Sequence, residues 1–135
     1  MLFGVYFFFV ELGLGLGRSS VNVSGSVDKA VVSAMQQVQR DYRVRTLISN
    51  CGVHLWLRPR LSISGGEIVF YMDYYLTGLD NVKSEYDANR LQVEFEKEMN
   101  YYADRILKKA SARVSEARTN REYEIRILGG NNIKP

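Results

Sequence analysis

Leu61-Ser62-Ile63-Ser64-Gly65-Gly66-Glu67-Ile68-Val69-Phe70-Tyr71-Met72-Asp73-Tyr74-Tyr75-Leu76 decides the fold class of this 135-residue chain. A Gly-Gly pair between two runs of β-branched and aromatic residues is a hairpin signal. After the turn, Ile68, Phe70, Met72 and Tyr74 share one face, and Val69, Tyr71, Asp73 and Tyr75 share the other. Both faces are rather apolar, so cover on both sides is expected. Upstream, Arg60 to Ser64 is extended. Before it, Val53, Leu55 and Leu57 alternate with His54, Trp56 and Arg58. Pro59 cannot donate to a ladder and marks an edge or a bend. Val44 to Ile48 is a short strand that Asn50-Cys51-Gly52 is expected to loosen or bulge.

Helices flank these strands. Val27, Ala30, Val31, Ala34, Met35, Val38 and Tyr42 recur at helical spacing, predicting a helix over roughly 27–42. Ser26 is its candidate N-cap, with Asp28 in the first turn. From about Ser84 to Arg118 there is no Gly or Pro. Leu91, Phe95, Met99, Tyr102, Ile106, Ala110, Val114 and Ala117 form one helical stripe there. Such a helix reaches roughly 50 Å, against a radius of gyration of about 14 Å for a domain this size. Part of it is therefore expected to overhang the sheet. Its acidic first half (Glu85, Asp87, Glu94, Glu96, Glu98) and basic second half (Arg105, Lys108, Lys109, Arg113, Arg118) complement the helix dipole. Glu122 to Ile127 alternates as a final strand, which Gly129-Gly130-Asn131-Asn132 ends before a short tail.

The expected fold class is α+β: a small mixed or antiparallel sheet with two helices, one of them long. A single domain covers 26–135, preceded by an apolar, strand-like segment over 1–25. If that segment joins the sheet, the order is β-α-β-β-α-β, a ferredoxin-like split arrangement. Without it, α-β-β-α-β resembles, in element order, the ring-building modules of secretion and sporulation machines.

Met1 to Gly17 (MLFGVYFFFVELGLGLG) carries only Glu11 as a charge. It lacks the basic start and small-residue cleavage site of a signal peptide. It is too short, and too interrupted by glycine and Glu11, for a membrane-spanning helix. A buried or partner-covered strand fits best, because Phe, Tyr and Val favour pleated surfaces. Alternating glycines over 13–17 let another backbone approach. Gly13-x-Gly15-x-Gly17 has neither the spacing nor the following helix of a dinucleotide fingerprint.

Composition narrows the function classes. Hydrophobic residues make up 46% and charged residues 24%, values of a globular chain. One cysteine and one histidine exclude a disulfide framework and multi-Cys metal sites. Cys51 and His54 are the only nucleophile–base candidates. On a regular strand, positions three apart point to opposite faces. Glu94 and Glu98 lie one turn apart, but no histidine accompanies them. No catalytic, cofactor or metal residues are assigned.

Charge comes in blocks. Residues 1–66 hold seven basic and three acidic side chains, 67–98 three and eight, and 99–121 six and two. Alternating blocks suit contact between copies or with a charged protein. A nucleic-acid module is the third possibility. Arg40, Arg43, Arg45, Arg58 and Arg60 are expected to cluster around the end of the first helix and the adjoining strands, and Tyr71, Tyr74 and Tyr75 could stack bases. Against it, the basic-Gly-aromatic pattern of RNA-recognition modules is absent, and Glu67 and Asp73 put acids on that strand.

The sequence therefore points to a non-enzymatic α+β subunit of a large assembly, with copies of itself and other subunits as partners. Its expected contact residues are Phe3, Tyr6, Phe7, Phe8, Phe9, Arg58, Arg60, Tyr74, Tyr75, Arg105 and Lys109. A Gly-Gly-Asn-Asn tail does not order alone, so neighbours are expected to hold it. Within that class a virion component, such as a phage tail, neck or baseplate protein, is favoured. A secretion-type ring subunit at a membrane is the alternative.

Overall fold

In the computed structural model, residues 28–48, 51–64, 66–117 and 121–133 are described. The segment 1–25, with Phe3, Tyr6, Phe7, Phe8 and Phe9, lies outside them, as does the proposed cap Ser26. Helix α1 spans Lys29–Asp41, strand β1 Val44–Ile48, β2 Val53–Ser64 and β3 Glu67–Thr77. A 3₁₀ turn at Leu79–Asn81 leads into helix α2, Glu85–Glu116, and strand β4 covers Glu124–Leu128. The four strands form one sheet in the order β1-β2-β3-β4. The first two pairings are antiparallel, and β4 runs parallel to β3. The protein is α+β with a mixed sheet and two helices, one of them long.

The expected β2–β3 hairpin forms in register. Ser64 pairs with Glu67, and Gly66 turns the chain at φ 85°. Two local expectations are corrected. Cys51-Gly52 is not a bulge within a strand. It is the turn between β1 and β2, closed by the Cys51 N–H donating to the Ile48 carbonyl at 3.0 Å. Three strands, not a single hairpin, therefore separate the helices. Of the two readings of Pro59, the edge holds and the bend does not. β1 ends at Val44, opposite Leu57, so β2 runs on through Pro59 where no β1 residue faces it. At the first helix the N-cap is Asp28, not Ser26. At the second, Ser84 caps as a hydroxyl acceptor for the Asp87 N–H at 3.1 Å.

Both helices pack on the same face of the sheet. Val31, Met35 and Val38 from α1, and Leu91, Phe95, Met99, Ala103, Ile106 and Ala110 from α2, are fully buried. They join Leu55, Ile68, Phe70, Met72, Tyr74 and Ile127 in one core cluster. The expected overhang of α2 is not found, because contact with that core runs from Ala88 to Ala117. The physical reason is strand length. An unbroken β2 of 12 residues and a β3 of 11 extend for roughly 35–40 Å, enough to underlie most of the helix. Comparison with a radius of gyration of about 14 Å takes no account of strands this long.

The tail is also corrected. Asn131 to Ile133 continues beside β3 within the same chain. The Tyr74 N–H donates to Asn131 O at 3.1 Å, and the Ile133 N–H donates to Tyr74 O at 2.7 Å. Backbone approach is so close that a Cβ on Gly130 would lie 2.1 Å from the Met72 carbonyl oxygen. The chain's own β3 therefore holds the tail as far as Ile133.

Candidate functional site

Alternation along the strands sends a second set of side chains to the sheet face opposite the helices. No described element covers that face. Register places Arg45 beside Trp56 and Trp56 beside Tyr75, so three planar groups line up across three strands. The Arg45 guanidinium carbon lies 4.8 Å from the Trp56 ring centroid. On the other side, the Trp56 and Tyr75 rings stack at 5.4 Å with 7° between their planes. Trp56 Nε1 is shielded and has no partner among the described residues. Four residues along β2, the Arg60 guanidinium covers the Tyr71 ring at 4.3 Å. Such pairs shelter aromatic surface under a group that stays solvated.

The acids on this face are already used. Asp73 is only 3% exposed, and its carboxylate takes Arg60 Nε at 3.0 Å and the Asn131 N–H at 3.1 Å. At the far end, Arg126 bonds Glu67 and lies 3.2 Å from Glu124. Arg43, Arg45 and Arg58, by contrast, have no carboxylate partner among the described residues. They line an open groove of about 510 Å³ together with Trp56, Tyr75 and Ile133.

The expected contact residues separate into three groups. Arg58, Arg60 and Tyr75 lie on the open face. Tyr74 does not: it is fully buried and packs on Phe95 at 5.0 Å between ring centroids. Its place in a contact surface is withdrawn, because strand alternation turns it inward. Arg105 and Lys109 lie on α2 near α1. Arg105 donates to the Tyr101 hydroxyl at 2.8 Å, and Lys109 is 3.8 Å from Asp41. The sequence reading missed Trp56 as a site residue and Asp73 as the polar pin of the tail. For Trp56 the signal was present in its alternation with His54 and Arg58. For Asp73 none was, because Arg60 and Asn131 are far from it in sequence.

A second exposed feature lies on α2. Tyr86, Val93 and Tyr101 are 69%, 48% and 51% exposed. Their spacing of seven and eight residues puts them on one stripe, opposite the Leu91–Phe95–Met99 stripe that faces the core.

The earlier chemical candidates are not brought together. Cys51 lies in the β1–β2 turn against the core, while His54 points to the open face. Burial pushes the Cys51 thiol pKa up, and nearby Arg90 offsets this only in part, so the thiolate is disfavoured. Burial, and then the neighbouring Glu94 charge, raise the Glu98 carboxyl pKa. Among the described residues no three metal-ligating side chains cluster, and no helix is long and apolar enough to cross a membrane. No family model, curated protein or solved structure matches the chain.

Proposed function

We propose that the protein is a non-enzymatic interaction subunit of a larger assembly, with copies of itself and other subunits as partners. The observation that carries this reading is the outward stripe of α2. Tyr86, Val93 and Tyr101 keep about half or more of their surface in solvent on a helix whose other face is already fully used. Tyrosine is enriched at protein contacts, where its ring buries area and its hydroxyl stays polar. Leu47, 48% exposed on β1, the edge strand among the described residues, adds a second apolar point. The aromatic sequence of residues 1–17 supports the same conclusion, because it carries more apolar surface than Glu11 alone can solvate. A virion component is the finer form of this proposal, supported by small size and by two aromatic surfaces. Sedimentation of full-length Val93→Glu and Tyr101→Glu proteins tests it. Both should sediment as smaller species than the parent while keeping its circular dichroism. Unchanged sedimentation of both would remove α2 from the contact.

A further inference from the structure

We propose that the open sheet face binds single-stranded nucleic acid, with bases on Trp56 and Tyr75 and phosphates on Arg43, Arg45 and Arg58. This goes beyond the subunit contact, since the face lies across the molecule from the outward stripe of α2.

Charge complementarity supports the choice of occupant. The described carboxylates on this face are all paired: Asp73 with Arg60, and Glu67 and Glu124 with the one Arg126 they share, so the residual negative charge sits at the far end of the sheet, away from the groove. The three arginines around the groove have no such partner among the described residues. Like charges gathered beside one groove repel each other, and a polyanion relieves that repulsion. Guanidinium groups match phosphate oxygens in two-point geometry.

The aromatic geometry selects among polyanions. Arg45 covers one face of Trp56, a position of the size and flatness that a nucleobase occupies. When Arg45 turns to a phosphate, a base takes its place on the indole, so a cation–π contact is exchanged for a base stack and a charge-assisted hydrogen bond. An acidic peptide offers the charge without the ring. In a duplex the base faces are already stacked on one another, so single strands fit this surface. The groove of about 510 Å³ falls within the usual size of ligand clefts.

Trp56 is the only tryptophan in the chain, so its fluorescence reports on the site. Full-length protein is titrated with oligothymidylate of about 20 nucleotides, long enough to span one binding platform. Saturable quenching is expected. The logarithm of affinity should fall with the logarithm of salt concentration at a slope near −2, about 0.7 for each of three phosphate contacts. Arg58→Glu and, separately, Arg43→Ala should each weaken binding, by roughly tenfold for the reversal, and each should reduce the slope by about 0.7. Lys97→Glu on α2 should leave both unchanged. Absence of quenching at low salt overturns the proposal. So does equal affinity for polyglutamate, which would make the face an acidic-protein site, or for a duplex of the same length. A dimer that Arg58→Glu dissolves without any oligonucleotide would assign the face to a second copy and also overturn it.

Discussion

The Asp73 carboxylate accepts the Asn131 backbone N–H at 3.1 Å, joining residues 58 apart in the chain. The same carboxylate holds Arg60 Nε at 3.0 Å while remaining 4% exposed. One buried acid thus fixes both the tail beside β3 and an arginine on the open face. Asp73→Ala should cost about 1–3 kcal/mol, the usual penalty for leaving buried partners unsatisfied, as read by urea unfolding. Amide exchange at Ile133 should accelerate in this variant, because its bond to Tyr74 O depends on the anchored tail. Unchanged exchange at Ile133 would show that Asp73 does not hold the tail.

Gly130 is required by contact with backbone, since its added Cβ would lie 2.1 Å from the Met72 oxygen and 2.6 Å from the Asp73 nitrogen. Neither atom can move without shifting β3. Gly130→Ala should therefore destabilise the protein by about 2 kcal/mol or more, at the upper end of ordinary substitutions. Ala103→Gly, placed in the buried interior of α2, should cost about 1 kcal/mol for the helix alone. A smaller loss at Gly130 than at Ala103 would refute the close approach.

Glu98 gives a pH dependence of defined sign. Its carboxyl pKa is raised, first by burial and then by Glu94, so the folded state holds the proton more tightly than the unfolded chain does. Stability from this group is present in acid and is lost as pH rises through the carboxylate range. Glu98→Gln should raise the melting temperature at neutral pH, and the gain should vanish near about pH 4. A gain that instead persists in acid would contradict the assignment.

Cys51 should react slowly. Its thiol pKa is raised mainly by burial, and the thiolate is the nucleophile. Modification by an aromatic disulfide at mildly alkaline pH should be slower in the folded protein than in the urea-unfolded chain by more than accessibility alone explains. That excess should shrink as pH increases. A folded rate equal to the unfolded one would place the thiol in solvent.

Much of the fold was legible because period and turn chemistry agree locally. The Gly65-Gly66 hairpin, the Leu91 to Ala117 stripe and the Tyr123–Ile125–Ile127 alternation each follow from neighbours in sequence. What was illegible depended on distant partners. Pro59 reads as an edge or a bend, and choosing the edge needs the end of β1 opposite Leu57, which cannot be read from β2 alone. Asp73 looked like an acid spoiling an aromatic face, whereas Arg60 and Asn131 turn it into a buried anchor. Tyr74 and Tyr75 fall on opposite strand faces by sequence, but which of the two faces the helices cover depends on packing. Alternation separates them, one against Phe95 and the other against Trp56. The open face was half visible: its arginines were noted as a group, but the alignment of Arg45, Trp56 and Tyr75 across three strands needs the register.

The claim that this chain works inside an assembly is tested most directly by the native mass of the full-length protein, measured by light scattering over a dilution series. The account predicts a mass that is a multiple of 15.5 kDa, falling toward a single chain only on strong dilution. A monodisperse species of 15.5 kDa at every concentration up to about 100 μM, where even weak specific contacts are populated, would contradict it.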